Sequence, residues 1–287
     1  MAYEITLLTA MGIAVIFALS LNLITGFCGQ ISLGHAAFYG IGAYCAAMIT
    51  KSGLPFPLAL AAGFLLAGMI GVVVGLASLR VRHDFLAITT MGVGFLFLGI
   101  VRQQDFLGGE MGLSGIPSSG LSKPAFMALV LIIAAAVTAL SLYLKRSWMG
   151  YVFDSVADDE DTARMLGIDV ARYKLAAFAM GTALAGLAGG LYAHNIRFID
   201  PDSFGFVESI TVLAMVVVGG IGSVWGVILA AAVLSVLPLW LQFISDYKLL
   251  LYGALLFTVM RFSPNGMAGM VTALKRRNRT AASGDPS

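Results

Sequence analysis

Long apolar stretches separated by short polar segments run through almost the whole chain. A membrane-spanning helix needs about 20 predominantly apolar residues, and a helix satisfies its own backbone polar groups inside a bilayer. The pattern therefore predicts an all-α polytopic membrane protein, a bundle of about nine transmembrane helices joined by polar loops. The predicted spans are Ile5–Thr25, Ile31–Thr50, Phe56–Leu79, Phe85–Val101, Pro124–Leu144, Tyr173–Ala193, Val207–Gly222, Val224–Phe243 and Leu249–Met260.

The composition strengthens this interpretation. Of the 287 residues, 59% are hydrophobic and 11% are charged, and the mean hydropathy is +0.93. Soluble domains carry about 25% charged residues, so we expect one membrane domain over residues 1–274 and a disordered, basic cytoplasmic tail over 275–287. Cys28 and Cys45 lie in or beside predicted spans, where buried and inert thiols are the usual state.

The distribution of Lys and Arg sets the predicted orientation, because cytoplasmic loops of membrane proteins carry an excess of both. If the polar segment Lys145–Lys174 is cytoplasmic and the spans alternate, most of the 17 Lys and Arg residues fall on the cytoplasmic side. The N-terminus is then outside and the tail inside. The first span lacks the basic start and cleavage site of a signal peptide, so we expect it to be retained. The basic tail favours contact with membrane lipid and not with nucleic acid.

The segment Lys145–Lys174 is the longest polar interruption of the apolar pattern. A short helix is predicted over Val156–Leu166, with Ser155 as its N-cap and Asp158 completing a variant of the capping box. The acidic residues that follow suit the positive end of the helix dipole. One face of the helix is predicted to be apolar through Val152, Val156, Ala163 and Leu166.

Two further signals mark the end of that helix. Glu160 and Arg164 are spaced for an ion pair one turn apart, and Gly167 is a typical residue for ending a helix in the left-handed conformation. A polar-capped helix between two spans either connects them or meets a soluble partner. Composition alone leaves both interpretations open.

The spacing of Asp161-Thr162-Ala163, three residues and then Gly167 resembles the coupling loop of ABC importer permeases, whose pattern is Glu-Ala-Ala, three residues and Gly. In those permeases the loop docks into the ATPase subunit. The resemblance implies that the docking residues here are Asp158, Glu160, Asp161, Thr162, Ala163 and Gly167.

A second group of polar residues falls inside predicted apolar sequence. Asn22, Gln30, Ser32 and His35 lie among small residues such as Gly34, which allow close approach of helices. One interpretation is tight packing, with His35 hydrogen-bonded in the interior. The other is a translocation path or gate. The run from Gly29 to Ala36 resembles the N-terminal signature of the branched-chain amino acid (LIV-type) ABC transporter permeases.

Other motifs of that family follow in the same order. The run from Leu79 to Thr90 is similar to a stretch of the LivM-like class that the LivH-like class lacks, and the run from Gly112 to Pro117 resembles the family's outer loop. That loop is either a simple connector or an extracytoplasmic docking surface. The chain departs from the family where Phe95 and Leu96 stand near a usual Glu, and where Tyr151, Phe153, Ser155 and Val156 stand at usual Arg positions.

The glycine-rich run of Gly219, Gly220, Gly222 and Gly226 lacks the Lys-Ser or Lys-Thr of a phosphate-binding loop, so it favours close helix packing or a helix break over a nucleotide site. ATP hydrolysis must therefore belong to another polypeptide.

Two function classes remain open. Ion-coupled transporters hold ionisable residues inside their spans, and here Glu208 at a span edge and His35 are the candidates. So few ionisable residues disfavour coupling to an ion gradient, and an ion-coupled secondary transporter or channel for small polar solutes is therefore the alternative and not the favoured function. The favoured function is the permease subunit of an ATP-driven importer for branched-chain or related small amino acids. An enzyme is disfavoured, because no nucleophile, base or metal cluster is evident.

The family resemblance implies the rest of the assembly. It would comprise this chain, a second permease chain of the LivH-like class, two ATPase subunits that hold ATP and Mg²⁺, and an extracytoplasmic substrate-binding protein. It would lie in the bacterial inner membrane, and this chain would carry neither a cofactor nor a metal.

Overall fold

The structure is a computed structural model that describes residues 2–78, 83–240, 253–254, 257–258 and 261. The regular secondary structure of these residues is helical, apart from one isolated bridge between Leu113 and Ile199. Single-turn 3₁₀ helices lie in the loops at Asp105–Leu107, Gly109–Met111 and Pro201–Phe204. The α-helices are α1 Ala2–Leu21, α2 His35–Lys51, α3 Phe56–Ser78, α4 His83–Gln103, α5 Lys123–Arg146, α6 Trp148–Asp158, α7 Glu160–Met165, α8 Val170–Ile196, α9 Phe206–Gly219 and α10 Val224–Trp240.

Six helical segments of the described chain are long and apolar enough to cross a membrane: Tyr3–Phe27, Phe56–Ala77, Phe85–Gln103, Lys123–Arg146, Val170–Ile196 and Pro201–Gly219. The prediction of about nine spans is therefore not confirmed. The predicted span Leu249–Met260 lies mostly outside the described residues, as do the basic run at 79–82 and the tail at 275–287. Val224–Leu237 is apolar but shorter than the other six.

The predicted span Ile31–Thr50 starts later than expected. The six residues of Asn22–Phe27 prolong α1 as a π-helix, the chain then runs without helix to residue 34, and α2 begins at His35. At Gly34 an added Cβ would lie 1.7 Å from the Thr90 carbonyl oxygen. Close contact with α4 therefore fixes the backbone just before the start of α2.

Helices α2, α3 and α8 pack through small residues. A Cβ added to Gly42 would lie 2.0 Å from the Gly186 carbonyl oxygen, and one added to Gly189 would lie 1.8 Å from the Tyr39 carbonyl oxygen. Small residues let membrane helices approach until their backbones touch. These two contacts hold the middle of α2 closely against α8.

Loop contacts define two ends of the bundle. At one end Leu113 and Ile199 exchange backbone hydrogen bonds of 2.7 and 3.1 Å. At the other end the Lys145 ammonium donates to the Gly222 carbonyl oxygen. Helix α8, with 27 residues, rises about 40 Å between these ends. We call them the outer and the inner end, after the orientation predicted from the charges.

Candidate functional site

The inner end carries a helix pair, α6 and α7, in place of the single predicted helix Val156–Leu166. The chain is extended at Asp159 (φ −158°, ψ 111°), which ends α6 and caps α7. Its carboxylate accepts hydrogen bonds from the backbone N–H groups of Asp161 at 2.9 Å and Thr162 at 3.2 Å. The prediction of Ser155 as N-cap was wrong, because Ser155 lies within α6 and its hydroxyl donates to the Tyr151 carbonyl oxygen at 2.8 Å.

The hydrogen bonds at this cap also affect its charge. Backbone and side-chain hydrogen bonds from Thr162, with that from the Asp161 backbone, hold the pKa of Asp159 below its usual value. A carboxylate with a lowered pKa stabilises the fold above the pKa of the unfolded chain, and this contribution is lost as pH falls through the lowered value. The cap is therefore fully formed at neutral pH.

An ion-pair network ties α7 to the membrane domain. The predicted pair of Glu160 and Arg164 is present, at 2.9 Å. Glu160 also pairs with Lys174 in the second turn of α8, and these two side chains are only 13% and 8% exposed. This second pair could not be predicted from local spacing, since 14 residues and a helix boundary separate its members. Through Glu160 the polar segment is bound directly to a transmembrane helix.

The end of α7 is a tight left-handed turn at Gly167, where φ is +83°. The Gly167 N–H donates to the Arg164 carbonyl oxygen at 3.0 Å, and the Ile168 N–H donates to that of Ala163 at 3.1 Å. These two bonds form a Schellman motif. The turn sends the chain straight into α8, so α7 is held at both of its ends.

The predicted apolar face of this segment is correct at three positions of four. Val152, Val156 and Ala163 are at most 5% exposed, whereas Leu166 is 74% exposed. Ala163 therefore packs inside its own chain and presents no surface to a partner. Four large apolar side chains of α6, α7 and the residue that caps the end of α7 face outward, and we call them the exposed apolar set: Trp148, Tyr151, Met165 and Leu166.

The chain between α1 and α2 contacts this inner end. The Gln30 side-chain amide donates to the Lys174 carbonyl oxygen at 3.0 Å, and a Cβ added to Gly29 would lie 3.2 Å from Ala157 Cα. Residues 28–34 thus touch both α6 and the first turns of α8. Because of these contacts, movement of the α6–α7 pair would act directly on residues 28–34.

The turn between α9 and α10 belongs to the same end. The Asn22 side-chain oxygen accepts from the Gly222 N–H at 3.0 Å, and the chain is left-handed at Gly220 and Gly222. A Cβ added to Gly226 would lie 1.9 Å from the Gly219 carbonyl oxygen, so the end of α9 and the start of α10 touch closely. This run breaks the chain into two closely packed helices.

His35 lies deeper in the bundle, at the start of α2. Its Nε2 and the Ser20 hydroxyl are 2.8 Å apart, and its ring stacks on Phe17 with centroids 5.4 Å apart. The first N–H groups of a helix need partners. Here the Ala36 N–H donates to the Ser209 hydroxyl at 3.1 Å, so α9 helps to cap α2.

The four residues predicted for a path or gate, Asn22, Gln30, Ser32 and His35, are all at most 1% exposed. Within the described part of the chain, one buried polar atom in each of three of them has no hydrogen-bond partner: Asn22 Nδ2, Ser32 Oγ and His35 Nδ1. Such groups are costly to bury.

Among the residues that the structure describes, no three His, Cys, Asp or Glu side chains lie together in a group that could hold a metal ion.

Comparison with known proteins identifies the family of this chain. The family model for the permease component of branched-chain amino acid transport systems matches residues 4–260. The LivM permease protein of the high-affinity branched-chain amino acid transport system of Escherichia coli K12 is 33% identical over 95% of this chain and 72% of its own length. BraD of Pseudomonas aeruginosa is 26% identical over 88% of this chain and 91% of its own, and LivH of Salmonella typhimurium is 26% identical over 88% and 90%.

No solved structure gives a significant match. The greater identity to LivM than to LivH confirms the LivM-like class predicted from the motifs. The chain belongs to the family of branched-chain amino acid transport permease components.

Proposed function

We propose that this chain is the membrane-spanning permease subunit of an ATP-driven importer in the bacterial inner membrane. It translocates branched-chain or related small amino acids delivered by an extracytoplasmic binding protein. It works beside a second, LivH-like permease chain, and separate ATPase subunits hold ATP and Mg²⁺. Family membership disfavours the ion-coupled alternative, because the relatives are permeases of the same class of transport system.

The observation that carries this proposal is the link between Glu160 and Lys174. It joins an exposed helix pair to a transmembrane helix across a buried ion pair. Lys174 in turn holds Gln30 through its backbone carbonyl. A force applied by an ATPase to α7 would therefore reach α8 and residues 28–34, which lead to His35.

The exposed apolar set is the part of α6 and α7 best suited to contact an ATPase subunit. Exposed apolar patches on soluble surfaces mark interaction sites. Of the residues predicted for docking, Asp158, Asp161 and Thr162 are exposed and available for a partner, while Glu160, Ala163 and Gly167 position the helix. This divides the predicted docking residues into two roles.

Replacing Met165 and Leu166 together with Ser tests the docking surface. Because both side chains are more than 70% exposed, the change should leave the fold intact while removing apolar contact area. We expect the variant to reach the membrane but to lose its ATPase subunits on purification, as measured by quantitative mass spectrometry of the purified complex.

The control for this experiment is Met111→Ser at the outer end, where the side chain is 89% exposed. It makes the same kind of change and should retain the ATPase subunits. Wild-type retention of the ATPase by the Met165/Leu166 variant would contradict the proposed docking surface.

The proposed path is tested at His35. His35→Leu removes the ring nitrogen that meets Ser20 and the buried Nδ1, so we expect substrate uptake to fall while the protein remains in the membrane. His194→Leu is the matched control, because His194 is also buried and hydrogen-bonded, to Gly190 and Thr50. Equal loss of uptake in both variants would show that His35 serves packing alone.

A further inference from the structure

Two distant parts of the chain hold Gly222, in the turn between α9 and α10, from opposite sides. Its N–H donates to the Asn22 side-chain oxygen at 3.0 Å. Its carbonyl oxygen accepts a hydrogen bond from the Lys145 ammonium near the end of α5. Gly222 has φ +77°, a conformation that glycine adopts without strain. The backbone of the turn is thus positioned by one side chain from α5 and one from the start of the π-helix.

The turn lies directly on the π-helix Asn22–Phe27 that prolongs α1. A Cβ added to Gly26 would lie 2.6 Å from the Gly222 backbone nitrogen, and one added to Gly222 would lie 2.9 Å from the Gly26 carbonyl oxygen. The two backbones therefore touch with no side chain between them. Short π-helical segments are rare and frequently lie at functional sites.

The turn covers a fully buried polar residue. Asn22 is 0% exposed, whereas Ile221 in the turn is 52% exposed. The turn therefore reaches the protein surface on one side and contacts Asn22 on the other. Asn22 is one of the residues predicted for a path or gate, and its Nδ2 has no hydrogen-bond partner among the described residues. One turn of chain thus separates Asn22 from the surface at the inner end.

Lys145 is tied to α6, the first helix of the proposed coupling pair. A Cβ added to Gly150 in the first turn of α6 would lie 2.5 Å from the Leu144 carbonyl oxygen and 2.6 Å from that of Lys145. Helix α6 is thus folded tightly against the end of α5. Burial raises the pKa of Asp154 in α6, and the positive charge of Lys145 opposes this rise. A shift of α6 would therefore displace the Lys145 ammonium from Gly222.

The contacts of Lys145 are suited to form and break. Its side chain is exposed, and its ammonium lies 5.8 Å from the centre of the Phe27 ring as well as against Gly222. Lysine carries its charge on a flexible stem with three rotatable donors. Water can replace the protein partners of such an exposed group, which is not possible for the buried pair of Glu160 and Lys174.

We propose that the turn of residues 220–223 is the inner gate of the path, and that Lys145 is the positioning residue that holds this gate closed over Asn22. The proposal rests on the proposed transport function and adds to it a gate and a second connection from the coupling helices. Movement of α6 withdraws Lys145, the turn then leaves Asn22, and the path opens at the inner end.

The first test measures opening of the turn in the complete importer, reconstituted with its ATPase subunits. Hydrogen exchange of residues 219–226, followed by mass spectrometry, reports how often the Gly222 N–H leaves Asn22. The wild-type complex is compared without nucleotide and trapped with ATP and vanadate. Exchange should be slow in one state and about tenfold faster in the other, because a hydrogen bond to a charged group is lost. Lys145→Met, which keeps the length of the side chain, should exchange fast in both states.

The second test measures coupling in proteoliposomes with loaded binding protein outside. The amount of radiolabelled L-leucine imported is divided by the amount of ATP hydrolysed. In Lys145→Met this ratio should fall severalfold, because an inner gate that is not held closed lets imported leucine return through the path. Lys145→Arg keeps a charged donor for Gly222 and should restore the ratio. Equal loss of uptake and ATP hydrolysis in Lys145→Met, with the ratio unchanged, would show that Lys145 only stabilises the fold.

The control variant is Arg146→Met, which removes the positive charge of the next residue, also exposed. It should keep wild-type exchange and the wild-type ratio. Wild-type behaviour of Lys145→Met would overturn the role of Lys145, and equal exchange of the wild-type turn in both nucleotide states would overturn the gate. Absence of ATP-driven leucine uptake by the wild-type complex would instead count against the proposed function itself. The wild-type uptake thus separates the two kinds of failure.

Discussion

The two ends of the bundle each carry an ion pair, and the pairs differ in burial. At the outer end Arg102 and Asp202 meet at 2.5 Å with side chains 44% and 75% exposed. At the inner end Glu160 and Lys174 pair with side chains 13% and 8% exposed. An ion pair of the same kind therefore lies in water at the outer end, and at the junction of a surface helix with a membrane helix at the inner end.

Burial decides what each pair can do. An exposed pair is screened by water and salt and contributes little to stability. A buried pair contributes little net stability as well, but loss of one member is strongly destabilising, because a charge is left buried without compensation. Loss of the inner pair would therefore weaken the seating of α7 on α8, whereas loss of the outer pair would leave its loops joined by the bridge between Leu113 and Ile199. This difference is what the proposed coupling at the inner end would require.

The largest effect is expected from Glu160→Gln. It leaves the Lys174 ammonium buried beside a neutral amide, at a cost of about 3 kcal/mol. The local opening of α7 and of the first turn of α8 should become roughly a hundredfold more frequent. Hydrogen exchange of the amides of residues 160–175, measured by mass spectrometry, reports this directly.

Asp161→Asn is the matched control for Glu160→Gln. Asp161 pairs with the same Arg164 at 2.7 Å, but its side chain is 80% exposed. Its loss should change exchange in this segment only slightly. Similar protection in the two variants would remove the proposed distinction between a buried and an exposed carboxylate on one helix.

The sequence predicted the elements that local patterning determines. Apolar length alone identifies the spans that become α1, α3, α4, α5, α8 and α9, and the spacing of Glu160 and Arg164 predicts their pair. The left-handed turn at Gly167 is likewise predicted by the rule that glycine ends helices. This rule depends only on residues of the same helix.

The errors arose where distant parts of the chain decide the local structure. Gly34 lies against the Thr90 carbonyl, so α2 starts at His35 although the apolar pattern begins at Ile31. A second error is local: the helix break at Asp159 was missed because a run of four acidic residues offers several equivalent caps. Glu208 was noted at a span edge, but only packing of five helices shows a crevice that it lines.

Gly167→Val sharpens the comparison of the two ends. An added side chain there would meet no atom within 4 Å, so its cost is backbone strain at φ +83°, about 1–3 kcal/mol. The turn into α8 should shift, and the ATPase should dissociate more readily on purification. Gly167→Asn, which tolerates the left-handed conformation, should keep the complex intact.

Gly115 provides the corresponding change at the outer end. It too has a left-handed φ, of +72°, and open space around it. Gly115→Val should therefore strain its own loop without affecting retention of the ATPase. Equal loss of the ATPase in both Val variants would indicate a general folding defect and would contradict a special role for the inner turn.

The smallest effect is expected at the outer pair. Asp202→Asn removes one charge from a contact that is largely in water, so the cost should be about 1 kcal/mol or less. The bridge between Leu113 and Ile199 would still hold the same loops together through backbone hydrogen bonds. Raising the salt concentration should reduce the free-energy cost of Asp202→Asn further, because exposed charges are screened. Hydrogen exchange of residues 105–115 and 197–205, compared at low and high salt, measures both effects. An increase in local opening on Asp202→Asn as large as that on Glu160→Gln would contradict the difference that burial predicts for the two ion pairs. The inner pair would then have no distinct role in the proposed coupling.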